Sequence, residues 1–412
     1  MKIGYVMQEG GPDVRQLPRT GPANHVLKVF AELQRLGHDV RLLARWDGVI
    51  WKSDDLVTYE PVVVRDWDSG PRRALERLVR GLQARLALPY LNLFESLRFA
   101  SACRQELGDR DVYYERMGWM GYGAGLWSRR SGIPLVLEVN NGDFVTELEM
   151  LGVAPTGFQR WLAVRLMAAA VGRGRMVVAT GEGHRRRFIE HWRVTPDTVV
   201  TIENGSELVE LLDRGQLGPF TGRSRGSAPV EVVFVGAFEP WHGVLKLLEA
   251  MEGVVAAGAN VHLVLIGSGT LQRQIREFID ARGLAPHVTM TGQLPIDQVA
   301  ARLAHADIGA APYCGWMEYS GLKLFDYKAA GLAIIASGEN GQPDTLSHER
   351  TALIVPPCDV QALAAGIVRL AGDEALRRSM GHAGRLEAEE QHSWRHTALQ
   401  LQGVFERVTR GR

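Results

Sequence analysis

Two doubly wound α/β domains, each built around a parallel sheet, are what this sequence predicts, and three observations carry the prediction. Short β-branched or aliphatic runs alternate with longer segments of helical periodicity. The apolar runs are continuous rather than alternating, as in strands covered on both faces. The alternation also starts twice, once at the N-terminus and again past a stretch of Gly, Arg, Ser and Pro near mid-chain. A length of 412 residues suits two or three domains at roughly 150 residues each.

Residues 3–7 read as the first strand. A helix over 21–36 follows, with Val26, Val29, Phe30 and Leu33 on one face, and Gly37-His38 turns into a strand over 39–44. Further strands are expected at 62–65, 111–114, 134–139, 176–179 and 198–202. Past Asn204 the pattern dissolves, so residues 1–205 are expected to form the first domain and 206–229 a linker. The second domain, 230–390, has strands expected at 230–235, 261–266, 288–291, 308–310, 333–336 and 352–355. Strand C-termini, where ligands bind in such sheets, would then face each other across a cleft.

Composition narrows the classes. Apolar residues at 46% and charged residues at 23% are ordinary globular usage and exclude disordered, collagen-like and disulfide-miniprotein chains. With 47 Lys+Arg against 47 Asp+Glu the net charge is zero, which argues against a nucleic-acid partner. The N-terminal apolar run stops at Gln8-Glu9, too soon for a signal segment. No stretch approaches the roughly 18 apolar residues of a spanning helix. Cys103, Cys314 and Cys358 are odd in number and far apart, so neither a disulfide framework nor a CxxC metal site is expected. A reducing, cytoplasmic setting fits that usage. The histidines lack ligand spacing, which argues against a metal. Gly267-Ser268-Gly269 has Gln272 where the third glycine of a dinucleotide fingerprint belongs, so no nicotinamide site is expected.

The most informative segment runs from Glu318 to Gly331. Ser320 suits an N-cap and Gly331 a C′ position, predicting a helix over 321–330. Its start, at Gly321 and Leu322, offers backbone N–H groups and a positive dipole end to an anion, and Lys323 adds a charge in the first turn. Glu318 precedes the helix, and Asp326 lies four residues after Leu322 on the same face. Ionised carboxylates are pure acceptors and suit pairs of sugar hydroxyls. One segment thus supplies a diphosphate cradle flanked by two diol binders. A solvated acid followed by a capped surface helix would use the same residues.

This segment resembles the Glu-x7-Glu signature of retaining glycosyltransferases of family 4, whose fold is GT-B, in the variant S-P-L-K-L-F-E-Y-M-A-A-G. The rest of the chain is similar in order: Gly21-Pro22-Ala23-Asn24-His25-Val26 with Gly37-His38-Asp39-Val40, then Tyr113-Tyr114-Glu115-Arg116, Glu138-Val139-Asn140 and Glu203-Asn204-Gly205. In the second half Phe234-Val235-Gly236, Ile266-Gly267-Ser268-Gly269 and Ser393-Trp394 match further blocks. The resemblance implies a retaining transferase that moves a sugar from a nucleotide diphosphate donor, with a UDP sugar favoured, to a hydroxyl of a saccharide, glycolipid or small natural product. It implies no metal or cofactor. By position it places Glu318, Lys323 and Asn140 in catalytic roles. Gly21, Gly236, His242, Gly267, Ser320, Gly321, Leu322 and Asp326 fall at donor-binding positions, and Arg116 and Glu138 at acceptor-binding ones. It also implies that residues 391–412, with a helix over 393–408, return to the first domain.

Three departures stand out. Asp326 is one methylene shorter than the usual Glu. Phe238 and His242 stand where an Arg and a Lys often hold the donor phosphates, shifting that load to Lys323 and the helix start. Asn140 stands where a His is frequent, and an amide is no base at neutral pH. Two alternatives use the same architecture: a sugar-nucleotide epimerase, and a non-catalytic nucleotide-sugar-binding subunit. Finally, Leu75, Leu78, Val79, Leu82 and Leu86 repeat at helical spacing, with Arg73, Arg77 and Arg80 elsewhere on the turn. Such a helix suits the cytoplasmic face of an anionic membrane, as a peripheral contact. Packing on the first domain with an arginine-rich solvated face fits as well.

Overall fold

The structure, a computed structural model, describes residues 1–16, 21–68, 70–85, 91–140, 143–150, 152–213, 228–315, 321–338 and 345–410. The chain divides into two units, Met1–Ile202 with Thr397–Arg412, and Glu203–His396.

The first unit opens with β1 (Lys2–Met7), α1 (Gly21–Arg35) and β2 (Asp39–Trp46), followed by β3 (Val49–Ser53) and β4 (Glu60–Pro61). Next come α2 (Arg65–Asp68), α3 (Pro71–Arg85), α4 (Leu93–Glu106), β5 (Val112–Arg116), α5 (Gly123–Ser131) and β6 (Leu135–Val139). Helices α6 (Phe144–Met150) and α7 (Gly157–Val171), then β7 (Met176–Ala179), α8 (Glu182–Trp192) and β8 (Val199–Thr201) complete it. The strands order as β4-β3-β2-β1-β5-β6-β7-β8. From β2 to β8 neighbouring strands run parallel, while β3 and β4 add an antiparallel edge. On α1 the expected face, Val26, Val29, Phe30 and Leu33, is buried.

The strand expected at 62–65 does not form: Arg65 starts α2, and the edge is supplied by the β2–β3 hairpin instead. Asp47 and Gly48 make its two-residue turn, both at positive φ (51° and 78°), with Trp46 paired to Val49. Asp-Gly is the strongest short hairpin signal, because both central residues of the favoured turn need the left-handed region. Pro61 then sits in the outermost strand, where its missing N–H costs the ladder nothing.

Helix α3 packs by its polar face. Glu76, 7% exposed, accepts hydrogen bonds from Arg80 (2.8 Å) and Arg98 (2.8 Å), and Arg80 also pairs with Glu95. Glu76, Val79, Arg80 and Gln83, spaced for one helical stripe, are the residues turned inward. Leu75, Leu78 and Leu82 are exposed beside Arg73, Arg77 and Arg85. Leu86 lies outside the described residues.

The second unit begins with α9 (Glu207–Asp213), β9 (Val230–Val235), α10 (Val244–Ala256), β10 (Val261–Ile266) and α11 (Gln272–Ala281). It continues through β11 (Val288–Gly292), α12 (Ile296–Leu303), β12 (Ile308–Ala311), α13 (Leu322–Ala329), β13 (Ala333–Ser337) and β14 (Ala352–Val355) to α14 (Val360–Gly372) and α15 (Glu374–Gln391). The parallel sheet orders as β11-β10-β9-β12-β13-β14. Val232 and Phe234 enter one core and Val233 the other, as the period of two requires for a sheet covered on both faces. Helix α16 (Trp394–Thr409) carries the chain into the first unit from Thr397, where Phe405 packs edge-on against Tyr114 at 5.4 Å.

The cysteine expectation is also overturned. Cys314 and Cys358 form a disulfide, and only Cys103 of the three is free. Their separation of 44 residues closes in space because Cys314 follows β12 and Cys358 follows β14, the two neighbours of β13.

Candidate active site

In each sheet the order reverses once beside the first strand, between β1 and β5 and between β9 and β12. Ligands of open α/β sheets bind outside the carboxyl ends of the strands at such switch points. Among the described residues, predicted site residues of each unit lie near these points.

In the second unit, β9 runs into Gly236 and β10 into Gly267, at φ 143° and 142°. A Cβ on Gly267 would stand 1.9 Å from the Gly236 carbonyl oxygen, so the loops approach as closely as they do because Gly267 has none, while a Cβ on Gly236 would crowd Lys323 Cε at 3.1 Å. Lys323, 7% exposed, comes up beneath this pair. Its Nζ lies 3.3 Å from where a Gly236 Cβ would be. It stands over the rings of Phe234 (5.1 Å) and Tyr313 (4.8 Å), contacts worth about 0.5–2 kcal/mol to a cation. Gly321, not Ser320, is the N-cap of α13, and no side chain caps the helix among the described residues. Leu322 is its first residue, and Gly331 closes the helix at φ 69°. Glu318 and Ser320 lie outside the described residues.

His242 ends a short turn after β9, with Nδ1 2.6 Å from the Ala237 carbonyl. A carbonyl only accepts, so Nδ1 carries the proton. The ring stands 6.1 Å from Tyr313 and 6.4 Å from Phe234, in the aromatic group that also holds Lys323. Phe238 is fully buried against Phe234, so that position belongs to the core and offers nothing to a phosphate. Asp326 is half-buried, and its Oδ1 accepts from Ser206 Oγ at 2.6 Å. Burial pushes its carboxyl up to about 6, with the Ser206 hydrogen bond opposing and Glu207 adding to the rise. Ser206 is a partner for which the sequence carries no signal, since 120 residues separate the two.

On its other side α13 meets a charged cluster. Lys328, 1% exposed, donates to Glu387 at 2.6 Å and Thr345 at 3.3 Å, and Arg350 also pairs with Glu387. Burial pushes the Lys328 ammonium down to about 8. His392, 3% exposed, is pushed down to about 3 by burial and by the Lys328 and His396 charges.

In the first unit Glu138 is the hub. It is fully buried, and Oε1 accepts from Arg116 Nη1 (2.7 Å) and Asn140 Nδ2 (2.6 Å). Oε2 accepts from His25 Nε2 (3.0 Å) and from the Tyr114 hydroxyl. Burial alone would raise this carboxyl, but His25, Arg116 and the hydrogen bonds from His25 and Asn140 outweigh it and hold it well below the ordinary carboxylate range. Gly21 opens α1 one turn before His25. The structure therefore gathers Gly21, Arg116, Glu138 and Asn140 in one unit. Gly236, His242, Gly267, Gly321, Leu322, Lys323 and Asp326 belong to the other. Glu138 does not have the open carboxylate expected of an acceptor contact, because all four of its lone-pair sites are occupied. His25 and Tyr114, both quoted in sequence blocks but given no role there, are the members of this cluster that the motif order did not single out.

Residues 20–205 match the family described as "Glycosyl transferase 4-like domain", and residues 224–387 that described as "Glycosyl transferases group 1". The chain belongs to glycosyltransferase family 4. Among relatives of this family-4 chain, the phosphatidyl-myo-inositol mannosyltransferase of Mycobacterium leprae is 32% identical over 212 residues, 51% of this chain and 54% of that protein. The chain thus spans about half the length of the first curated relatives it matches. A GDP-mannose-dependent alpha-(1-6)-phosphatidylinositol monomannoside mannosyltransferase of Mycolicibacterium smegmatis matches at 25% over 370 residues, 86% of this chain and 91% of that one. Among solved structures, sucrose-phosphate synthase of Thermosynechococcus elongatus superposes with a TM-score of 0.70 at 20% identity, covering 100% of both chains. Anabaena HepE in complex with UDP gives 0.68 at 16% identity, covering 99% of this chain and 100% of that one. The fold is GT-B.

Proposed function

We propose that this family-4 chain is a retaining glycosyltransferase that moves a sugar from a nucleotide diphosphate sugar to a hydroxyl of a glycolipid acceptor. The observation that carries the reading is Lys323. A buried ammonium beside the Gly236–Gly267 loops, in the first turn of a helix that no described side chain caps, suits the charge that a departing diphosphate develops. The C1–O bond to the diphosphate breaks as the acceptor oxygen bonds C1 on the same face, and the hydroxyl proton passes to a diphosphate oxygen. Lys323 and the α13 N–H groups take up the negative charge. Asp326 is the ribose contact, and Glu318, just ahead of Gly321 in the sequence, the sugar-hydroxyl contact. No cofactor is required in this scheme.

The curated relatives' names favour GDP-mannose as the donor and a phosphatidylinositol-type acceptor. The UDP sugar expected from the sequence is the competing donor. No match supports the epimerase or the non-catalytic subunit. The test offers GDP, UDP, ADP and dTDP for thermal stabilisation, since a ligand of the native state raises the melting point. GDP-mannose with phosphatidyl-myo-inositol then follows. Mannolipid formation, with GDP release that depends on the lipid, is the expected result; release without acceptor, or no stabilisation by any diphosphate, overturns the reading.

We place the enzyme on the cytoplasmic face of a membrane, with α3 as its lipid contact, on the ground that nucleotide sugars are available there. Cysteine usage no longer supports that setting, because Cys314 and Cys358 are bonded. No helix among the described residues is long and apolar enough to cross a membrane. Leu75, Leu78 and Leu82 are 53%, 63% and 47% exposed, flanked by the exposed Arg73, Arg77 and Arg85, the composition of an interfacial helix. Cosedimentation with phosphatidylglycerol vesicles at low salt should be lost on changing the three leucines to serine. A wild type that fails to bind at low salt, where the attraction is strongest, ends the idea.

A further inference from the structure

The Glu138 cluster has an inside and an outside. Glu138 is 0% exposed, Tyr114 1%, His25 4% and Arg116 9%, while Asn140 is half-exposed. Asn140 is thus the face that the cluster shows to an incoming molecule, at the carboxyl ends of the strands beside the β1/β5 switch point. An amide has two unlike ends. A carboxylate accepts and cannot donate, so Glu138 selects the Nδ2 end of Asn140, at 2.6 Å, and the carbonyl oxygen Oδ1 is turned away from it. Arg116 and His25 pin Glu138 from the other sides, so the carboxylate cannot rotate to release the amide without breaking charge-assisted bonds.

We propose that Glu138 is a positioning residue that never meets substrate: it fixes the side-chain amide of Asn140 so that Oδ1 accepts a hydrogen bond from an acceptor hydroxyl next to the one that reacts. The inference rests on the transferase reading for the identity of that hydroxyl and deepens it in one respect. The acceptor side offers a hydrogen-bond acceptor and no base. Asn140 therefore orients the acceptor through a neighbouring hydroxyl, which leaves the single proton of the reacting hydroxyl to pass to the diphosphate.

The experiment is a double-mutant cycle with Glu138→Gln and Asn140→Ala, assayed with GDP-mannose and phosphatidyl-myo-inositol. Each single variant should raise the acceptor KM at least tenfold and leave the donor KM within twofold. The double variant should be no worse than the more severe single one, because Glu138 acts through Asn140. Losses that multiply, or a donor KM that moves as far as the acceptor KM, overturn the proposal. A second readout needs no transfer. The Asn140 side-chain amide protons, assigned in a 1H–15N spectrum by their absence in Asn140→Ala, should exchange slowly with solvent in the wild type and at least tenfold faster in Glu138→Gln. Equal exchange overturns the inference. A wild type that turns over no donor with any acceptor sinks the proposed function instead, and the amide exchange then decides the positioning role by itself.

Discussion

Opening the Cys314–Cys358 disulfide should cost the second unit a large share of its stability. The bond closes a loop of 44 residues, and the chain-entropy relation for that length gives about 4 kcal/mol, at the top of the usual 2–4 kcal/mol range. A unit of this size loses roughly 2–4 °C of melting temperature per kcal/mol. Reduction should therefore lower the melting temperature of the second unit by about 8–16 °C, and the first unit should not move. The assay is scanning calorimetry of wild type and of the Cys314→Ser/Cys358→Ser variant, with and without a phosphine reductant. The buried Cys103 serves as the control, since it is present in both proteins. Wild type should match the double variant only when reduced, and reductant should leave the double variant unchanged. Identical melting of oxidised wild type and double variant would refute the reasoning, because the bond would then not close a loop in the native chain.

Three further outcomes follow from the charged groups. Lys323→Ala should weaken nucleoside diphosphate binding at least tenfold and nucleoside binding hardly at all; calorimetric titrations showing equal losses would make Lys323 structural. His392 has a pKa of about 3 in the folded chain against roughly 6.5 in the unfolded one, so the unfolded state binds more protons between these values. Its stabilisation is complete above pH 6.5 and is lost as pH falls toward 3, by roughly 4–5 kcal/mol at most; His392→Gln should flatten that limb of the denaturation profile, and an unchanged slope counts against it. Lys328 has the depressed value of about 8, so its charge is a cost at neutral pH, while Glu387 keeps Arg350 as a partner. Lys328→Met should melt higher than wild type at pH 7, with the advantage shrinking as pH rises from 8 to 10.5; a lower melting point at pH 7 contradicts this.

The strands of both sheets were legible because each is a short, continuous apolar run, and a strand buried on both faces has no other way to be written. Val230–Val235, Val261–Ile266 and Ala352–Val355 coincide with the runs read from the residues. The edge at β3 and β4 was not read, although Asp47-Gly48 announces it, because Val62 and its neighbours look more strand-like than the half-polar Val49–Ser53. Helix α3 shows the limit of periodicity. A leucine stripe at the correct spacing identifies the helix but not the face that packs, and here the inward side carries the buried Glu76 and the half-buried Arg80, whose partners Arg98 and Glu95 lie on the next helix.

The sequence by itself determined the α/β class, the double start of the alternation and the placing of Lys323 in the first turn of a helix. Each depends on residues close together in the chain, where propensity and spacing act directly. Tertiary structure alone decided which distant groups meet. The Cys314–Cys358 bond depends on the order of β12, β13 and β14 in the sheet. The Ser206 contact to Asp326 joins the start of the second unit to its α13 helix. From the sequence Glu138 reads as an acceptor contact, because a buried carboxylate and an open one have the same letter. Only the four donors converging from α1, β5 and the end of β6 show that its hydrogen-bonding capacity is already spent within the fold. Hydrogen-bond saturation is a property of three-dimensional neighbours, and no spacing along a chain encodes it.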